Sequence, residues 1–116
     1  MQILGDLPLD TNRKNAKTLS PDEISTYRQQ LPDWDVSTQD VPKLYRTFRF
    51  RNFAEALQFT NEVGALAEAA DHHPALLTEW GKVTVSWWTH TIRGLHLNDF
   101  IMAARCDALF ASGRTA

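Results

Sequence analysis

Apolar side chains recur at two different periods along the chain, and each change of period marks a change between helix and strand. Over residues 20–31 the apolar positions are spaced by three and four, which predicts a first helix. Ser20 is its expected N-cap, because Pro21 follows it and Glu23 completes a capping box. Pro32 is expected to end the helix.

Four short segments have the features of β-strands. Residues 43–51 and 83–90 alternate between apolar and polar side chains, as strands with one buried face do. Residues 34–38 and 76–80 are shorter strand candidates, and each is separated by a turn from the strand that follows it. Two hairpins are therefore predicted, and they make the sheet antiparallel.

Two longer segments have the helical period. The first begins after Asn52, a suitable N-cap, and must end near Asp71 or His72, because Pro74 cannot lie inside a helix. The second, residues 98–111, is apolar on nearly all sides, so it is either deeply buried or partly in a subunit interface, and the interface is favoured in a domain this small. The element order is thus αββαββα, and we predict an α+β fold in which three helices cover one face of a four-stranded antiparallel sheet.

Composition narrows the class of protein. The 116 residues suit one domain, assigned to residues 18–113, after a flexible N-terminal segment at residues 1–17. The net charge of −2 argues against nucleic-acid binding. No stretch approaches the roughly 20 apolar residues of a membrane-spanning helix. Without a secretory signal or a second cysteine beside Cys106, a cytoplasmic protein is expected.

The four histidines, His72, His73, His90 and His96, lie close together in the sequence. From the residues alone, three interpretations stay open. Each histidine can be a hydrogen-bonded structural residue. A metal site is less favoured, because the common spacings of histidine and cysteine ligands are missing. Acid–base catalysis without a metal suits imidazoles, which titrate near neutral pH.

Three of these histidines belong to a longer pattern. In order, the pattern contains Glu68, His72, His73, Pro74, Trp80, His90 and Asp99. This order and spacing resembles the signature of pterin-4a-carbinolamine dehydratases, and the resemblance extends over roughly residues 18–110. The pattern is specific because several separated positions agree at once.

The resemblance implies a reaction without cofactor or metal. Enzymes of this family dehydrate 4a-hydroxytetrahydropterin, the carbinolamine left by aromatic amino acid hydroxylases, to quinonoid dihydropterin. A general acid is needed to expel the hydroxyl group as water, and a base is needed to take the N5 proton. The implied catalytic residues are His72, His73 and His90. The implied substrate-binding residues are Glu68, Asp71, Trp34, Thr89 and Asp99.

Several of these roles have a structural alternative. Trp34 either closes over the pterin or is a core tryptophan. Asp99 either faces the pocket or stabilises the first turn of the last helix. Glu68 lies four residues before His72 and is expected to orient it from the same helix face. His96, a poorer N-cap than serine or threonine, is expected to have a structural role.

The resemblance also implies partners. Family members form homodimers or homotetramers, so a homo-oligomer that binds a small pterin is expected. The alternative is a non-catalytic protein-binding module, since this scaffold also serves as a transcription-factor dimerisation cofactor and as a Rubisco-assembly chaperone. The chain keeps Glu68, the motif histidines and Asp99, which favours the enzyme.

Overall fold

The predicted helices and strands are all present in a computed structural model, which describes residues 3–11 and 16–113. The helices are α1 (Pro21–Arg28), α2 (Phe53–Ala70) and α3 (Leu97–Ser112). The strands are β1 (Asp35–Ser37), β2 (Lys43–Arg49), β3 (Ala75–Glu79) and β4 (Lys82–Trp87). The α+β class and the order αββαββα are confirmed. None of these described helices combines the length and the apolar character that crossing a membrane requires.

The N-termini of the first two long helices form as their sequences predict. The Glu23 backbone N–H donates to Ser20 Oγ at 3.2 Å, and the Ser20 N–H donates to Glu23 Oε1 at 2.9 Å, which completes the capping box. At the start of α2, the Glu55 N–H donates to Asn52 Oδ1 at 2.9 Å. These side chains satisfy backbone donors that have no partner within a helix.

The four strands form one antiparallel sheet in the order β1-β2-β4-β3. β2 and β4 pair at its centre, from Leu44 opposite Trp87 to Arg49 opposite Lys82. β3 and β4 are joined by a tight turn at which Gly81 has a φ of 90°, a conformation that favours glycine. The long β2–β4 ladder therefore brings the two halves of the chain together.

One hydrophobic core lies between the sheet and the helices. Val83, Val85 and Trp87 of β4 are buried, and they alternate with less buried neighbours. They belong to one cluster with Phe59 and Val63 of α2 and with residues of α3. The two-residue period predicted for β4 is confirmed, and it directs one face of the strand toward the helices.

α3 is the most deeply buried of the three helices, and residues of the same chain bury it. Five apolar residues of α3 have no exposed surface: Phe100, Ile101, Met102, Ala103 and Cys106. A short 3₁₀ helix, Leu4–Asp6, contacts α3, and Leu4 is only 1% exposed. Burial within one chain explains the apolar character of α3. These residues agree with the alternative of deep burial, which periodicity alone cannot distinguish from a subunit interface.

The last strand is shorter than its sequence pattern. The strand predicted over 83–90 ends at Trp87, and His90–Ile92 form a 3₁₀ helix. β2 begins at Lys43, so it offers little chain to pair with residues beyond Trp87. Instead, Thr89 and Gly94 bridge to each other, with the Thr89 N–H donating to Gly94 O at 2.9 Å. This closed loop follows β4 and presents His90 at the end of the sheet.

Candidate active site

A cavity of about 400 Å³ lies where the end of α2, the loop after β4 and the N-terminal segment meet. Five predicted site residues line it: Asp71, His72, His73, Thr89 and His90. The first three come from the end of α2 and the last two follow β4. The structure thus brings three histidines from two separate parts of the sequence to one cavity.

The end of α2 determines which way the two adjacent histidines face. Asp71 takes the left-handed conformation, with φ 52° and ψ 42°, and thereby ends the helix. The His72 N–H then donates back to Ala67 O at 3.2 Å. His72 therefore leaves the helix face of Glu68, and the expectation that Glu68 orients it is wrong. Glu68 Oε1 lies instead 2.5 Å from Nε2 of His73.

The His72 ring is held by a hydrogen bond in its plane and by an aromatic ring against one of its faces. Its Nε2 lies 2.7 Å from Oδ1 of Asp99 in α3. The ring is stacked on Trp87, with ring centroids 5.6 Å apart and only 2° between the planes. The side chain is 16% exposed, so it reaches the cavity from a nearly buried position. A catalytic imidazole needs this kind of fixed orientation.

Asp99 is the buried residue that organises this side of the site. Its side chain is 0% exposed, and its Oδ2 accepts from Thr89 Oγ1 at 2.8 Å and from the His96 backbone N–H at 2.9 Å. Because a carboxylate only accepts hydrogen bonds, we assign the hydrogen of the neutral His72 ring to Nε2. Nδ1 is then the acceptor nitrogen of His72.

The helix-stabilising alternative for Asp99 agrees with the structure, whereas Asp99 is not among the residues that line the cavity. It completes a capping box at the N-terminus of α3, where its negative charge also interacts favourably with the helix dipole. It also orients His72 and Thr89, two residues that line the cavity. Because Asp99 is fully buried, it acts on the cavity through these neighbours and not by contact with a substrate.

His73 has a carboxylate partner of its own on the surface. Glu68, its partner, is 77% exposed at the side chain, and His73 is 52% exposed. Exposed ion pairs contribute little to stability, so the pair matters mainly for the orientation of the His73 ring. In this geometry Glu68 contacts His73 and is not among the residues that line the cavity, and its implied substrate-binding role stays a prediction.

His90 has an aromatic neighbour. Its ring centroid lies 4.5 Å from that of Trp88, at an interplanar angle of 41°. Lys43 Nζ lies 4.7 Å from the centroid of the Trp88 ring, which is cation–π geometry. Trp88 therefore connects a cation on β2 to a cavity histidine. His72, His73 and His90 thus have three different environments.

Trp34 does not join these residues. It is 0% exposed, its Nε1–H donates to Asp107 Oδ1 at 2.8 Å, and its ring meets Phe48 edge-on. Asp107 lies two turns beyond Asp99 on α3, about 12 Å along the helix axis. Trp34 is therefore a core tryptophan with a satisfied donor, which corrects its predicted place over the pterin.

The N-terminal segment and the first turn of α3 supply cavity residues that sequence reasoning missed. Among them are Asp10, Thr11 and Asn98. Nothing in the local pattern indicates them, because Asp10 and Asn98 meet across 88 positions of sequence. His96 also lines the cavity, and its Nδ1 accepts from the Asn98 N–H at 3.0 Å. The structural role expected for His96, as the N-cap of α3, is confirmed.

Two further observations bear on the chemistry of this part of the protein. Burial raises the pKa of the Cys106 thiol to about 12, so the thiol is protonated at neutral pH and is a poor nucleophile. Within residues 3–11 and 16–113, no three histidine, cysteine, aspartate or glutamate side chains are grouped so as to hold a metal ion. The cavity is lined by imidazoles, which suit proton transfer near neutral pH, and by the side chains of Asp10 and Asp71.

Comparison with known proteins relates this arrangement to a family. The family model of the pterin 4 alpha carbinolamine dehydratases matches residues 17–109, most of the chain and all of the histidine pattern. The chain belongs to this family. The resemblance found in the histidine pattern is thereby confirmed.

Individual members of the dehydratase family are similar over nearly their full length. A protein from Syntrophotalea carbinolica is 56% identical over 110 residues, which are 94% of this chain and 98% of that protein. One from Nitrosococcus oceani is 54% identical over 110 residues, 94% of this chain and 97% of that protein. Both bear the name "Putative pterin-4-alpha-carbinolamine dehydratase".

A solved structure shares the fold. The crystal structure of a protein from Brucella melitensis, described as a transcriptional coactivator/pterin dehydratase, has a TM-score of 0.74 and 27% sequence identity. The match covers 80% of this chain and 98% of that chain. The dehydratase fold of this chain is therefore supported by sequence and by structure.

Proposed function

We propose that this chain is a lyase that dehydrates 4a-hydroxytetrahydropterin to quinonoid dihydropterin and water. The observation that carries the proposal is the cavity where His72, His73 and His90 meet in a member of the dehydratase family. Two of the three imidazoles are hydrogen-bonded to carboxylates, which orient them for proton transfer.

The reaction requires one proton to be given and one to be taken. As the C4a–O bond breaks, the hydroxyl group accepts a proton and leaves as water. The lone pair of N5 forms the C4a=N5 double bond. The proton on N5 then passes to a base, and the electrons of the N–H bond become the new lone pair of N5. The two proton transfers balance, so no oxidant or reductant takes part.

His72 is the proposed base. Asp99 holds the hydrogen of His72 on Nε2, which leaves Nδ1 to accept the N5 proton. The buried carboxylate then stabilises the imidazolium that forms, as the aspartate of a catalytic triad does. His90, which contacts Trp88, is the proposed acid, and His73 is proposed to orient the substrate.

The decay of chemically generated carbinolamine, followed by absorbance, tests the proposal. Purified protein should accelerate the decay, and His72→Ala and His90→Ala should each lower kcat by about 10²–10⁴-fold, the usual contribution of general acid–base catalysis. Arg51→Ala is the control, because the exposed Arg51 pairs with Glu55 at the start of α2 and leaves the cavity untouched.

The outcomes separate the candidate functions. If the wild-type protein does not accelerate the decay, the dehydratase proposal is wrong and a non-catalytic binding module is favoured. If it does, but both histidine variants retain the wild-type rate, the acid–base roles are wrong.

We also propose that the protein is a homo-oligomer in which two sheets meet along their β3 edges. β3 is an edge strand, and such an edge can pair with a second copy. Leu77 in β3 is 58% exposed and Trp80 in the adjoining turn is 73% exposed, so both leave apolar surface open at this edge. Size-exclusion chromatography with light scattering should show a dimer or tetramer, and Leu77→Lys should shift it toward monomer.

A further inference from the structure

Trp88 lies directly after β4, two residues before His90, the proposed acid. It is half-buried and packs against the hydrophobic core, whereas His90 is exposed at the start of the 3₁₀ helix that follows. The centroids of the two rings are 4.5 Å apart, which is a close aromatic contact. An exposed imidazole at the cavity therefore contacts a ring that is anchored in the fold.

Lys43 contacts Trp88 from the neighbouring strand. Leu44 and Trp87 are opposite each other at the end of the β2–β4 ladder, and Lys43 and Trp88 are the next residues of their two segments. Lys43 Nζ lies 4.7 Å from the centroid of the Trp88 ring, in cation–π geometry. The indole of Trp88 is thus in contact both with a cation on β2 and with the imidazole of His90.

The orientation of His90 matters because a general acid must direct its proton at the leaving group. A displacement of about 1 Å can lower a rate by about 10²-fold. Asp99 and Glu68 hold the rings of His72 and His73 by hydrogen bonds. For His90, the contact with Trp88 restricts the directions in which the exposed ring can turn.

We propose that Trp88 is a positioning residue that holds the ring of His90 in the cavity, and that Lys43 stabilises this arrangement by fixing the indole. This inference rests on the proposed function, because it takes His90 as the general acid. His90 lines the cavity, and Trp88 is not among the described residues that do so. Trp88 should therefore affect turnover through His90 and leave substrate binding nearly unchanged.

Steady-state kinetics of carbinolamine dehydration test this role. Trp88→Ala should lower kcat by about tenfold or more, because a misdirected acid loses part of its 10²–10⁴-fold contribution, and should change KM by less than about twofold. Trp88→Phe, which keeps a flat ring beside His90, should recover most of the loss. Each kcat is normalised to the fraction of folded protein, so that a loss of stability is not counted as a loss of positioning.

A double mutant and a control show whether Trp88 acts through His90. In the His90→Ala background, Trp88→Ala should lower kcat by less than a further twofold, because the positioned ring is already gone. Phe53→Ala is the control, because it removes an exposed aromatic ring at the opposite end of the 18-residue α2, about 27 Å along the helix axis from the cavity. It should leave kcat unchanged. A wild-type kcat in Trp88→Ala overturns the proposal, and so does a loss that multiplies with that of His90→Ala.

The role of Lys43 has its own test. Lys43→Ala should lower kcat by about two- to fivefold, the size of an exposed cation–π contact, and should add nothing in the Trp88→Ala background. Lys43→Arg keeps the cation and should keep kcat. Lys82→Ala is the matched control, because it removes a lysine at the other end of the same ladder. Effects of Lys43→Ala and Trp88→Ala that multiply would overturn this part.

NMR spectroscopy of the histidine rings tests the contact without turnover. The ring protons of His90, assigned by comparison with His90→Ala, should change their chemical shifts in Trp88→Ala, because the ring current of the indole is lost. Unchanged shifts would overturn the contact. If the wild type does not accelerate carbinolamine decay, the dehydratase proposal is wrong, and the catalytic role of Trp88 is wrong with it. If the wild type and Trp88→Ala are equally fast while His90→Ala is slow, only the positioning role is wrong.

Discussion

Replacing Asp99 by asparagine should change the tautomer of His72 while keeping the shape of the site. Asp99 accepts hydrogen bonds from His72 Nε2, Thr89 Oγ1 and the His96 N–H. In Asp99→Asn, the amide oxygen can keep the bonds from Thr89 and His96, so the amide NH₂ group faces His72. Nε2 must then become an acceptor and the hydrogen moves to Nδ1. The nitrogen that should take the N5 proton is no longer able to do so.

The expected loss in rate is much larger than the expected loss in stability. Misplacing the proton acceptor should lower kcat by about 10²–10⁴-fold, or about 3–5 kcal/mol in activation free energy. The free energy of unfolding should fall by only about 1–2 kcal/mol, because two hydrogen bonds remain and the third reverses its direction. A purely structural role for Asp99 would instead lower stability and leave the rate per folded molecule unchanged.

Two measurements check this reasoning: carbinolamine decay, normalised to folded protein, and unfolding in urea. Asp107→Asn is the matched control, because Asp107 lies on the same helix and accepts hydrogen bonds from Trp34 and Arg46 instead. Asp107→Asn should affect stability without lowering kcat. If Asp99→Asn kept the wild-type kcat, catalysis would not depend on the His72 hydrogen being on Nε2, and this reasoning would be refuted.

Four further outcomes are expected. Gly64→Ala should raise the free energy of unfolding by about 0.5–1 kcal/mol, measured in urea, because nothing lies within 4 Å of the added methyl group and alanine favours the helix. Gly81→Ala should lower it by about 1–2 kcal/mol, because φ is 90° and the new Cβ would lie 3.1 Å from a backbone oxygen. A thiol reagent should label Cys106 only as fast as the chain unfolds, since the thiol is buried and its pKa is raised to about 12; rapid labelling of folded protein would contradict this. Burial raises the pKa of Asp107, so its contribution to stability is present below the unfolded pKa of about 3.9 and is lost as pH rises through the folded pKa; the stability of Asp107→Asn relative to wild type should therefore increase as the pH is raised above about 4 in urea titrations.

Short-range signals determined the elements of this protein. The capping box at Ser20 and the N-cap at Asn52 act within one helical turn, and the alternation along β2 and β4 acts between next neighbours. Such interactions depend on a few consecutive residues, so the sequence contains them directly. The histidine pattern also predicted that His72, His73 and His90 meet, because a family signature records positions that a shared fold brings together.

The tertiary structure decided the partners of those residues. The left-handed conformation of Asp71 separates Glu68 from His72 and leaves His72 to Asp99, which is 27 positions away. The indole N–H of the buried Trp34 donates to Asp107, so Trp34 does not cover the cavity.

The path of residues 3–11 across the fold could likewise not be predicted from the sequence. Residues 3–11 belong to the segment that was expected to be flexible, and only the packing of α3 shows that Leu4 is buried and that Asp10 meets Asn98. Contacts across 27 or 88 positions depend on how whole elements pack, and no periodicity along the chain specifies that packing.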